Sequence, residues 1–368
     1  MSECSGTTLE ERLLARLKLL AETDGFSGHE QAITSLMQTV LEPWADRVWA
    51  DGAGNLYASR EGLPGGPKLM IAAHGDEVGG LVKSVEPSGF LRFHTVGLRA
   101  WILQARKVRV SGHLGVIGVR PGHFPGKGEL PRAEDLYIDV GASSADEVRS
   151  MGIGIGSPVT AKSEIEMLSP YRVVGKAIDN RVGCAVLAEV FSQIRDVPFR
   201  GTVVGIITTR EEVDFGGAKM AAFQVDPGLA IALDTMPCGD TPDVSFYQEL
   251  PVAIGEGPVI QLMTQEGDVA FIANPGVREA LESVAKSEGI PCQLAVVPVT
   301  NTDASAIGLS RAGIPTGVVS IPRRYSHSPV EVCDLRDAAG AVNLLVGFVR
   351  GMGLTGAGKK ENSRSHQG

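Results

Sequence analysis

The segment Thr208–Gly217, TTREEVDFGG, sets two adjacent glutamates, Glu211 and Glu212, just after the apolar run GTVVGII. A carboxylate where a buried strand ends is expensive to desolvate without a partner, so a pair there needs a reason. Other apolar runs end in the same way: LMIAA leads into His74 and Asp76, GLAIAL into Asp234, and TGVVSIP is soon followed by His327. Four strand-like runs therefore deliver His, Glu or Asp at their carboxyl ends, the edge where open α/β sheets bind ligands. A fifth segment, GKAIDNRVGCAVLAEVF, places Asp179 just before an apolar helical run. There it could cap free amide groups, or join the other four segments at a common site.

Imidazoles and carboxylates without cysteine suit zinc, cobalt or manganese. Two imidazoles and three carboxylates are enough for two such ions, about 3.5–4 Å apart with one ligand shared, activating a water between them. One glutamate of the pair is then spare. Adjacent side chains point in different directions, so one can bind metal while the other takes a proton from the water and passes it to a leaving amine. Asp76, two residues after His74, can accept the other ring N–H of that histidine and fix its tautomer.

The elements that must position these residues are legible too. Thr8 and Glu11 have capping-box spacing, and Leu9, Leu13, Leu17 and Leu20 recur at helical intervals, so the chain opens with an amphipathic helix. A second helix is expected over about residues 30–41, and short two-sidedly apolar strands then alternate with helices, the pattern of an α/β sheet covered on both faces. Between about Val78 and Met167 the texture changes to short β-like pieces punctuated by Gly and Pro, which reads as an inserted small β domain. The expected division is a catalytic domain over 1–77 and 168–356, an inserted β domain over 78–167, and a disordered tail over 357–368.

The chain has 368 residues, 43% hydrophobic and 21% charged, with a net charge of -9. Neither a membrane span nor an export signal is visible, and the charge balance argues against a nucleic-acid partner. Its five cysteines are scattered, which fits free thiols in a reducing cytoplasm. With 5% aromatic residues and three tryptophans, it lacks the stacking platforms expected of a glycosidase.

The segments DGFSGHE, AAHGDEVGG, DLYIDVGASSADEV, AIDNRVG, REEVDFGGA, ALDT, NTDASAI and RRYSHSPVEV, spread over nearly the whole chain, resemble the dinuclear metallo-aminopeptidases typified by tetrahedral aminopeptidase and glutamyl aminopeptidase. The resemblance implies that His74 and Asp234 serve one metal, Glu212 and His327 the other, and that Asp179 bridges them. Glu211 matches the general base, and Asp76 the catalytic aspartate beside the first histidine. It also implies a three-layer zinc-peptidase mixed sheet with a PDZ-like insert, peptide substrates, and homo-oligomers that run from dimers to dodecameric tetrahedra.

Gly75, Asp214 and Asn301 depart from the family's usual residues, and Asp214 adds charge near the site. A metal-dependent amidohydrolase or deacylase acting on N-acyl amino acids or blocked peptides is the alternative reading. The position of the insert, ahead of Asp179, favours the aminopeptidase. His94, His113 and His123 are expected to be surface or packing residues, with His123 the best candidate to reach a neighbouring subunit. Arg181 is expected to hold the Asp179 loop, and Asp303 to be structural.

Overall fold

The computed structural model describes residues 6–118 and 132–352. Cys4, His123 and the tail over 357–368 lie outside these residues.

The opening helix, Leu9–Ala21, is capped as its spacing requires: Thr8 Oγ1 accepts the Glu11 N–H at 3.2 Å, and Glu11 Oε2 accepts the Thr8 N–H at 2.8 Å. Leu13, Leu17 and Leu20 are buried against the rest of the fold. The second helix spans Gln31–Leu41. The first helix is also held electrostatically, because Arg12 and Arg16 converge on the fully buried Glu189 at 3.1 and 2.6 Å. Replacing both arginines by alanine would leave that carboxylate buried and unpaired, and should cost about 3–5 kcal/mol in urea unfolding. An unchanged midpoint would show that Glu189 finds solvent instead.

The architecture is mixed α/β. At the centre of a 12-stranded sheet lie four parallel strands in the spatial order Arg200–Thr208, Leu63–His74, Leu229–Pro237 and Thr316–Arg324. Antiparallel strands flank them on both sides. Leu69, Ile71 and Ala73 pack into one helical layer, with the helices Leu9–Ala21, Ile178–Ile194 and Leu335–Gly351. Met70 and Ala72 face the other, with the helix Gly216–Val225. This alternation is why the central strands read as continuous apolar runs.

Between the strand Leu63–His74 and the strand Arg172–Gly175 the chain forms a closed six-stranded barrel, with strands from Gly79–Val85 to Pro158–Ala161. It has its own core, including Val82, Leu91, Phe93, Val110 and Ile138. At its base the buried Lys176 Nζ donates to both oxygens of Glu77 at 2.8 and 2.9 Å and to Asp24 Oδ1 at 3.1 Å. Asp24 also accepts the Thr160 hydroxyl of the barrel at 2.9 Å, so one polar clamp joins barrel and sheet. No helix among the described residues is long and apolar enough to cross a membrane.

Candidate active site

Register brings the strand ends together. Thr208 lies opposite His74 across parallel strands, and Ala232 opposite Ala72, so the chain positions after Thr208 and at Asp234 converge on His74. After Thr208 the chain turns sharply, with Arg210 at φ +60, into the four-residue helix Glu211–Asp214. The turn is tied back by Asp76, whose Oδ1 and Oδ2 accept the backbone N–H groups of Glu211 and Glu212 at 3.1 and 3.2 Å, and whose Oδ2 also accepts the Ser27 hydroxyl at 2.5 Å.

All seven sequence-selected residues meet in one cluster. His74 Nε2 is 3.2 Å from Asp179 Oδ1 and 3.5 Å from Asp234 Oδ1. His327 Nε2 is 3.4 Å from both Asp179 Oδ2 and Glu212 Oε2. Two triads thus share Asp179, each offering three donor atoms close enough to hold one ion. Zinc ligands about 2.0–2.1 Å from the metal at tetrahedral angles stand about 3.3 Å apart, so the donor spacing and donor chemistry both fit. Glu211 lies at the edge, its Oε2 3.9 Å from His74 Nε2. A third grouping, His74 with Glu211 and Glu212, also has ligand-like spacing. His74 Nδ1 faces Asp76 Oδ1 at 3.4 Å, a charge contact longer than a good hydrogen bond.

The electrostatics call for a cation. Burial drives Glu211 well above the usual carboxylate range and raises Glu212 to about 8, and it raises Asp234 as well. Burial also opposes charge on Asp179, but Arg323 and the two histidines hold it well below its ordinary value. The histidines gain protons in turn: against the opposing effect of burial, the Glu212 charge leads the groups that lift His327 to about 9, and Glu211 leads those that raise His74. Glu212 Oε1 and His74 Nδ1 are buried without a hydrogen-bond partner. A divalent ion would relieve these costs.

Ligands must lose their protons to bind metal. Burial favours a proton on Glu212 and the Glu212 and Asp179 charges favour one on His327, so an ion must displace a proton from this pair, and metal affinity should climb by about tenfold per pH unit for each proton displaced. Zinc titrations against a competing chelator at pH 6, 7 and 8 check this; a flat profile would contradict it.

Asp179 does not cap the helix that follows it. Asp179 and Asn180 are non-helical and joined by a cis peptide bond, and Asn180 Oδ1 takes the capping role by accepting the Gly183 N–H at 3.1 Å. Asp179 is freed for the site, where the Thr235 hydroxyl donates to its Oδ1 at 2.9 Å and Arg323 pairs with its Oδ2. Sequence reasoning passed over Thr235 and Arg323. Both follow apolar strand runs, but nothing local distinguishes them from ordinary surface polar residues.

Arg181 is fully buried and donates to the backbone carbonyls of Leu20 and Thr23 at 2.6 and 2.8 Å, so it anchors the end of the first helix. Asp303 accepts the Thr208 hydroxyl at 2.6 Å. Asp214 is half-exposed and paired with Arg210, which offsets the charge it adds. Asn301 Oδ1 accepts from Thr264 and Ser305 within the fold. A side chain at Gly75 would meet Ile207 Cγ2 at 2.6 Å, so glycine there matches the isoleucine beneath it. His94 and His113 are exposed on barrel strands.

Residues 54–344 match the family model described as M42 glutamyl aminopeptidase. The chain is 32% identical over 339 residues to the lysyl aminopeptidase of Pyrococcus furiosus, covering 89% of this chain and 94% of that one. The aminopeptidase APDkam598 from the archaeon Desulfurococcus kamchatkensis superposes with a TM-score of 0.89 at 35% identity, covering 93% of this chain and 96% of that one. The Pyrococcus horikoshii TET1 peptidase, which can assemble into a tetrahedron or a large octahedral shell, superposes with a TM-score of 0.81 at 29% identity, covering 92% and 99%.

Proposed function

This chain belongs to the M42 glutamyl aminopeptidase family and is an aminopeptidase, and on that premise we propose that it works with two divalent ions and with Glu211 as its general base. His74 and Asp234 would hold one ion, Glu212 and His327 the other, and Asp179 both. The observation that supports this most directly is the Asp179 carboxylate, which turns Oδ1 to His74 and Oδ2 to His327. Zinc suits the donor set best, with cobalt or manganese as alternatives.

When bound, such ions polarise the scissile carbonyl and make water acidic enough to attack at neutral pH. The chain's own task is to move the proton. Glu211 lies outside the two triads that share Asp179, and burial raises its affinity for a proton, so once ionised beside the ions it would take a proton from the water on Oε2 and hand it to the departing amine. Asp76 keeps that carboxylate aimed by gripping the backbone of both glutamates.

We propose that the closed barrel, with strands from Gly79–Val85 to Pro158–Ala161, is the PDZ-like element through which the chain dimerises. The likeness to the TET1 peptidase, which forms a dodecamer and can assemble into a tetrahedron or a large octahedral shell, supports dimers that build further. The scattered cysteines support a cytoplasmic location.

The test is a mass-spectrometric time course on peptides with free and acetylated N-termini, using metal-stripped protein restored with zinc, cobalt or manganese. Stepwise loss of residues from free N-termini alone, dependent on metal, is the expected result. Release of acetate or of blocked residues would move the substrate to N-acyl compounds.

A further inference from the structure

We propose that Glu331 is a positioning residue that fixes the shared ligand Asp179 relative to His327 in the metal site, an inference that rests on the two-ion reading above. Glu331 begins the strand Glu331–Asp334 and is 1% exposed. Its Oε2 accepts the backbone N–H of Asp179 at 3.0 Å, and its Oε1 accepts the backbone N–H of His327 at 3.0 Å. One carboxylate thus holds the main chain of the shared ligand and of a ligand belonging to one half only.

Both segments need such a restraint. Asp179 sits where the chain has not yet become helical, and His327 adopts φ +53, a conformation L side chains rarely take. Neither residue gains its position from regular secondary structure. Arg323 completes the arrangement: its Nη1 lies 3.3 Å from Glu331 Oε1 while its Nη2 pairs with Asp179 Oδ2. If Glu331 served only to neutralise Arg323, one oxygen facing the guanidinium would suffice. Instead each of its two oxygens receives one ligand's amide, a pair of charge-assisted bonds with fixed direction.

The His327 ring is restrained from the opposite side, by the barrel. Its Nδ1 is 3.2 Å from the Gly97 carbonyl, which selects the tautomer protonated at Nδ1 and leaves Nε2 free to face Asp179 and Glu212. Glu331 fixes where the His327 main chain stands, and Gly97 fixes how the ring turns. Because Asp179 offers one oxygen to each triad, a small shift of its main chain would spoil both triads together.

Glu331→Gln tests this with little change of volume. A carboxamide has one acceptor oxygen and so can serve only one of the two amides. Chelator-competition titrations should show zinc affinity lowered by about 10–100-fold, and added zinc should restore most of the turnover. Glu331→Ala should lose more. If Glu331 is merely structural, the Gln variant will melt earlier yet bind zinc as tightly as the wild type, and the proposal falls.

A measurement on the wild type covers the case in which the variants do not fold. In metal-stripped wild-type protein, residue-resolved hydrogen exchange should find the Asp179 and His327 amides protected, since Glu331 holds them before any ion arrives. Free exchange at these two amides overturns the proposal. Failure of the wild type to take up any ion would sink the two-ion reading as well; wild-type affinity in the Gln variant would sink only the role of Glu331.

Discussion

Glu211→Gln should lower kcat by about 10²–10⁴-fold, the range expected for loss of a positioned general base, while the bound-metal content stays unchanged. The substitution keeps the shape and removes only the ability to take a proton. The bond that locates residue 211 runs from its backbone N–H to Asp76 and would survive the change. Metal content is the deciding control, because Glu211 also falls in a grouping with His74 and Glu212 that has ligand-like spacing. Element analysis of the purified variant, paired with steady-state kinetics, separates the two roles. Loss of an ion would reassign Glu211 as a ligand; undiminished turnover with full metal would remove it from the mechanism.

Asp179→Asn should be at least as damaging, and in a different manner. Both triads depend on this carboxylate, one through each oxygen, so the variant should retain neither ion firmly, whereas Asp234→Asn should weaken only one. Losing several kcal/mol of transition-state charge stabilisation corresponds to a fall in kcat/KM of about 10³-fold. Part of the effect will come from Arg323, which is buried and pairs with Asp179, and would keep Glu331 as its remaining carboxylate contact. Thermal melting in the presence of chelator isolates that contribution, since it persists without metal. An Asp179→Asn protein that carries its full complement of zinc would refute the shared-ligand assignment.

These two substitutions act on the same electrostatic problem from opposite sides. Five carboxylates and two imidazoles are packed into a space where burial pushes Glu211, Glu212 and Asp234 toward their neutral forms. Metal uptake should therefore be a proton-exchange reaction, which is why the affinity measured against pH informs on the same cluster as the kinetics.

Much of this was legible in the linear chain. The apolar runs ending in His74, Glu211, Asp234 and His327 identified both the buried strands and the edge where their polar residues gather, because strand burial follows from local residue type and the ligand edge of an α/β sheet is a property of the class. The Thr8–Glu11 cap and the break in texture after Val78 were equally readable, since capping and turn-rich strands depend on residues close in sequence.

Other features depended on contacts between residues far apart in the chain. Sequence left Asp179 between cap and ligand; the fold gives the cap to Asn180 and turns Asp179 toward Thr235 and Arg323, residues more than fifty positions away. It also left open how the glutamate pair would be oriented, which the left-handed turn at Arg210 and the grip of Asp76 decide. Hydrophobic periodicity reports which face of an element is buried, but carries no information on which element lies opposite. What the sequence determined by itself was the set of residue types delivered to one edge of a sheet. Only the tertiary structure decided their pairing, because strand order places the 200–208 strand beside the 63–74 strand, and a hydrogen bond or a metal triad exists only at separations of a few ångströms.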